Sequence, residues 1–183
     1  WESEAHMQPV LNVEDVKRVE AGLTEEGVSI SELMHRAGSA AASEVVRMGD
    51  LGSVAVFCGL GNNGGDGWVA AEALHAKGVA VTVVSPVEPN DIQGDLARVV
   101  AKSAQAAGVD IVVAPPRDKV VELLSGTDVV VDAMLGTGFH GDVRAPFDIW
   151  IDCVNSSGVR VVAVDVPSMQ SSATSEAERS PSS

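Results

Sequence analysis

The segment GLGNNGGDG, Gly59 to Gly67, contains a G-x-G-x-x-G spacing. Glycines so spaced allow a tight turn and let backbone N–H groups approach the phosphates of a dinucleotide. Asp66 places a negative charge inside the same loop. Two other segments open on a carboxylate: DAMLGTGFHGDVRAPF on Asp132, and DVPS on Asp165. If these two carboxylates share a cleft they do not both stay ionised cheaply; one takes a proton, or a cation sits between the loops. Asn63 offers a neutral amide oxygen and Ser168 a hydroxyl. Oxygen donors of low total charge suit a monovalent cation better than zinc or tightly held magnesium. Taken singly, each aspartate equally well caps the turn after its strand.

The elements that would bring these residues together are legible as periodicities. SVAVFC, VAVTVV, VDIVVA, DVVVDA and VRVVAVD are β-branched runs too continuous for strands with one wet face, and fit parallel strands buried on both sides. Helical stretches start between them near Asp66, Ile92, Asp118 and Pro146, and Gly78, Gly108, Gly126 and Gly158 fall where a left-handed residue ends a helix. Two helical patterns precede the first strand. NVEDVKRVEAGL aligns Val13, Val16, Val19 and Leu23, and SISELMHRAGSAAASEVVRM opens with Ser29 and Glu32 at capping-box spacing before Met34, Ala37, Ala41, Val45 and Met48. The order predicts an α/β fold: a three-layer αβα, Rossmann-like, doubly wound and mainly parallel sheet with two N-terminal helices. In the usual strand order 3-2-1-4-5, strands 1, 4 and 5 end side by side, so the three unusual loops meet on the edge where such sheets bind ligands.

The chain has 183 residues, about one domain, and is 45% hydrophobic with a formal net charge of −14. That charge argues against nucleic acid, whose binding rests on Lys and Arg. No apolar run reaches membrane-spanning length and no charged-then-apolar leader opens the sequence, so a cytoplasmic protein is expected. Cys58 and Cys153 sit inside apolar segments without metal-ligand or redox spacing, as buried thiols do. Residues 1–7 look like a cloning remnant, residues 8–168 form the domain, and the Ser-rich stretch 169–183 reads as a tail. The glycine loop lacks the Lys and Ser/Thr of a P-loop, and no G-x-S-x-G elbow occurs. VTVVSP closes the second strand without the acidic residue that holds an NAD ribose, which disfavours an ordinary hydride-transfer dehydrogenase.

In combination, GLGNNGGDGWVAAEAL, VDAMLGTGFHGDVRAPF and VVAVDVPS, with ELMHRAG upstream, resemble the YjeF N-terminal domain family from about residue 11 to 168. Its enzymatic members are NAD(P)H-hydrate epimerases. They interconvert the R and S epimers of NADH or NADPH hydrated at C6 of the nicotinamide ring, so that a dehydratase can restore the cofactor. The resemblance implies that Asn62, Asn63, Gly64, Gly65 and Asp66 line the hydrated dinucleotide. It implies a second wall from Gly136, Thr137, Gly138, Phe139, His140, Gly141 and Asp142, with Asp165 close to the reacting end; exchange of a ring hydroxyl needs a proton carrier there, and Asp165 is the candidate catalytic acid/base. It further implies one potassium ion (K+) per subunit on Asn63, Asp132 and Ser168, and a homodimer through the N-terminal helices, where Ala37 and Ala41 offer a small-residue face. On this reading Asp66 caps the helix after strand 1 or binds a sugar hydroxyl, and GTGFHGD supplies N–H groups to phosphate.

The sequence departs from the family at three places. Met169 follows Ser168 where Pro-Ser-Gly is usual, His35 stands where an acidic residue is common, and the usual further strands give way to the Ser-rich tail. A non-catalytic dinucleotide-binding or protein-interaction module on the same domain is therefore the rival expectation. Asn63, Asp132 and Asp165 favour the enzyme.

Overall fold

A computed structural model describes residues 29–136, 139 and 141–164. The predicted helix over NVEDVKRVEAGL lies outside the described residues. The second N-terminal helix, α1 (Ile30–Arg47), begins where the capping signal put it: the Glu32 N–H donates to Ser29 Oγ at 3.1 Å. Glu32's own carboxylate accepts from Arg36 one turn on, at 2.7 Å. Met34, Ala41 and Val45 are buried as the periodicity required, with Gly38 and Ala42 beside them, while Ala37 and Met48 are half-buried.

The elements then alternate: β1 (Ser53–Cys58), α2 (Asn62–Ala76), β2 (Ala80–Ser85), α3 (Asp95–Ala106), β3 (Asp110–Val113), α4 (Arg117–Ser125), β4 (Val129–Ala133), α5 (Phe147–Ser157) and β5 (Arg160–Ala163). The strands form one parallel sheet in the order β3-β2-β1-β4-β5, as expected. Two apolar cores lie on opposite faces. Val54, Val56, Val81, Val83, Val129 and Val131 point toward α1, α2 and α3, while Ala55, Phe57, Val84 and Val130 point toward α4 and α5. That division follows from the period-two alternation of side chains along a strand. The central strands β1 and β4 are buried on both faces; the edge strand β3 alternates between exposed and half-buried.

On the α4/α5 side, Trp150 meets Phe57 and Phe147 edge-on, at ring separations of 6.0 and 5.6 Å. Its indole N–H donates to the Pro115 carbonyl at 3.2 Å, so the large ring is buried without stranding its polar atom.

The structure corrects some boundaries. α2 begins at Asn62, a turn ahead of Asp66, and α3 begins at Asp95, three residues after Ile92. A 3-10 turn over Pro89–Asp91 leads to Ile92, which is buried as an anchor of the loop. Gly78, Gly108 and Gly158 do adopt positive φ after their helices; Gly126 does not, with φ −107°. There the Gly126 and Thr127 N–H groups and the Thr127 hydroxyl satisfy Leu123 and Leu124 carbonyls without a left-handed residue.

Candidate functional site

The segment Gly59 to Gly67 is only briefly a loop. Gly61 is the extended N-cap of α2 and the helix runs from Asn62, so Asp66 sits in its second turn and does not cap it. The boundary shifts because Gly64 and Gly65, poor helix formers on propensity, are held in the helix by tertiary packing. A Cβ on Gly64 would collide with the Gly59 carbonyl, and one on Gly59 with the Met134 carbonyl. A Cβ on Gly65 would lie 2.5 Å from Met34 Cε of α1, and one on Gly67 2.5 Å from Ala133 Cβ of β4. These glycines seat α2 against α1, β1 and the loop after β4. Asp66 is half-buried.

The first turn of α2 carries no side-chain cap. Asn62 is exposed there and Asn63 is buried, 8% accessible. Asn63 Nδ2 donates to the Leu135 carbonyl at 3.1 Å, which fixes the amide and turns Oδ1 away; Oδ1 is buried with no hydrogen-bond partner. An orphaned buried amide oxygen costs about 1–3 kcal/mol unless something not made of protein meets it. The Leu135 carbonyl that orients Asn63 left no mark in the sequence, since any residue supplies a backbone oxygen.

Asp132 is fully buried in β4, opposite Phe57 of β1 and Ala163 of β5. Its Oδ1 accepts the Met134 N–H at 3.2 Å, so the turn-capping role is real. Its carbonyl accepts the Val164 N–H at 2.9 Å, and the Gly59 N–H donates to Ala133 O at 2.8 Å. These bonds draw the ends of β1, β4 and β5 onto one edge. A buried carboxylate and an unpartnered buried amide oxygen on that edge are hard oxygen donors of low total charge, and they fit a monovalent cation. Among the described residues no group of three His, Cys, Asp or Glu side chains is arranged to hold a metal.

Of the predicted second wall, Gly136, Phe139, Gly141 and Asp142 are described. The Phe139 N–H donates to Gly136 O at 3.1 Å, closing a turn that leaves the Phe139 ring 38% exposed. Gly141 has φ 109°, and Asp142 is exposed. Thr137, Gly138, His140, Asp165 and Ser168 lie outside the described residues.

Both thiols stand apart from the site chemistry. Burial pushes Cys58 well above the ordinary cysteine range, with the Asp66 charge adding to it. Burial raises Cys153 too, against the opposing charge of Arg117. Both are held as neutral thiols, in accord with their apolar sequence surroundings. Among the described residues no helix is long and apolar enough to cross a membrane.

The chain is similar to several known proteins. The chain is 39% identical over 137 residues to an NAD(P)H-hydrate epimerase of Pirellula staleyi, across 74% of this chain and 60% of that protein. It is 38% identical over 154 residues to a bifunctional NAD(P)H-hydrate repair enzyme Nnr of Coxiella burnetii, covering 84% of this chain and 30% of that one. The chain thus spans less than two thirds of either relative. The crystal structure of yeast ynu0, YNL200c, superimposes with a TM-score of 0.78 at 25% identity, over 88% of this chain and 71% of the yeast chain. The model of the YjeF-related protein N-terminus matches residues 30–179. With the doubly wound sheet and its glycine-seated helix beside a buried asparagine and aspartate, that match places the chain in the YjeF-related protein N-terminus family.

Proposed function

We propose that the protein is an isomerase that interconverts the R and S epimers of hydrated NADH and NADPH. The observation that carries this reading is Asn63. Its Oδ1 is buried and unpartnered at the start of α2, on the same sheet edge as buried Asp132, in a chain whose relatives include named NAD(P)H-hydrate epimerases.

In this reading Asn63, Asp132 and Ser168 hold a potassium ion, which supplies fixed positive charge for phosphate and water. Asn62 to Asp66 and Gly136 to Asp142 form the two walls of the dinucleotide site. Asp66 stands in the second turn of α2 and does not cap it; binding of a sugar hydroxyl is the role assigned to it. The uncapped N–H groups of α2 are available to the ligand, and GTGFHGD supplies further N–H groups to phosphate.

The chemistry needs one proton carrier. The hydroxyl on C6 neighbours the ring nitrogen, whose lone pair expels it once the oxygen is protonated. The departing group is water, and the ring becomes a flat iminium. Water then adds to either face and gives up one proton. Asp165 is assigned to donate the first proton and accept the second, so the carboxyl ends as it began. Asp165→Ala is expected to lose most turnover of pure R epimer, followed by chromatography, while calorimetry still detects ligand binding. Full activity in that variant contradicts the assignment. A homodimer through the N-terminal helices and supply to an NAD(P)H-hydrate dehydratase complete the reading; Ala41 is spent inside the subunit, leaving Ala37 and Ala40 for such a contact.

A further inference from the structure

The glycines of Gly59 to Gly64 answer to different needs. Gly59 and Gly64 are required by the fold itself, since a Cβ on either would run into backbone. Gly61 is not required. A Cβ there would meet nothing within 4 Å, and its φ −90° and ψ −166° are extended backbone that any residue adopts. A serine or aspartate would cap α2 better than glycine does. Its neighbour Leu60 is equally unaccounted for, with a side chain 45% exposed. The other exposed large apolar side chains among the described residues lie in helices or edge strands, except Phe139, which projects from the loop after the adjacent strand β4. Among the described residues, Leu60 and Phe139 are therefore the two large apolar groups left open on the edge that holds the orphaned Asn63 oxygen.

We infer that Leu60 and Gly61 form a ligand-contacting ledge: the Leu60 side chain covers one face of a flat heterocyclic ring, and the missing Cβ of Gly61 lets the rest of the ligand lie against the backbone. The inference rests on the dinucleotide reading of the site and adds two specificity-determining positions to it. An exposed leucine costs little by itself, but beside a rigid backbone it is apolar area held ready for burial. Gly59, wedged against Met134, supplies that rigidity.

The test uses the full chain with the R epimer of hydrated NADH, and in parallel hydrated reduced nicotinamide mononucleotide, which lacks the adenosine. Leu60→Ala is expected to raise KM about fivefold to tenfold with kcat changed less than twofold, as suits loss of one apolar contact. Gly61→Val should raise KM at least as much; the melting temperature should be unchanged in Leu60→Ala and only a few degrees lower in Gly61→Val, valine being a poorer N-cap than glycine. Val99→Ala, an exposed valine of α3, serves as the control and should alter neither. If the Leu60→Ala effect persists with the mononucleotide, the covered ring is nicotinamide; if it appears only with the dinucleotide, the ring is adenine. Wild-type KM in both variants on both substrates overturns the ledge. Calorimetric affinity for hydrated NADH separates the two claims. If the wild type binds without turnover, weakened binding in the variants still supports the ledge, and unchanged binding overturns it.

Discussion

Within one nonapeptide, neighbouring residues of the same type do opposite jobs. Gly64 closes on Gly59 and Gly65 on Met34, whereas Gly61 faces open space. Gly64→Ala is expected to destabilise the protein by about 2 kcal/mol or more, because the clash is with backbone and cannot relax by a rotamer change. Gly61→Ala should cost less, about 1 kcal/mol or under, the difference between glycine and alanine at an N-cap. Chemical denaturation of the two variants checks this, and equal midpoints would contradict it. The sequence marked this stretch as special through its spacing, and marked Asn63 and Asp132 as oxygen donors. It did not reveal which glycine was packing and which was open, because the deciding atoms are set by the tertiary fold: the Met134 carbonyl against Gly59, the Gly59 carbonyl against Gly64 and Met34 against Gly65. Nor did it reveal that Asn63 is held by the Leu135 carbonyl, which leaves its oxygen alone.

At the scale of elements, the β-branched runs specified five strands and their parallel order, although the edge strands β3 and β5 are partly exposed and burial on both faces holds for the central β1 and β4. Helix starts were less legible. α2 begins among glycines that propensity assigns to a loop, and Ile92 was apolar for burial in a loop rather than for a helix face. The entries to β1 and β4 are tied by Asp128, whose Oδ2 accepts the N–H groups of Gly52 at 2.7 Å and Ser53 at 2.9 Å. Those two bonds, Ser53 first, hold its carboxyl below the usual carboxylate range. A lowered folded-state value means the stabilisation is complete above the ordinary carboxylate pKa, about 3.9, and drains away as pH falls through the folded value. Asp128→Ala should therefore lower Tm at pH 7, with the gap from wild type narrowing below about pH 4. A gap that stays constant with pH would contradict the linkage.

For the whole molecule, the sheet gathers the ends of β1 and β4 into one edge, with β5 hydrogen-bonded beside them, and the proposed chemistry is assigned to that edge. The chain spans 60% of the Pirellula epimerase and 30% of the bifunctional repair enzyme from Coxiella, and the proposed function requires that these 183 residues carry epimerisation by themselves. The direct measurement is chromatographic separation of R- and S-hydrated NADH, starting from pure R epimer, with the protein and potassium present and with the protein left out. Equilibration is expected to run well ahead of the spontaneous background. A folded sample that binds hydrated NADH yet leaves the R epimer at the background rate would contradict the proposed function and favour a binding module.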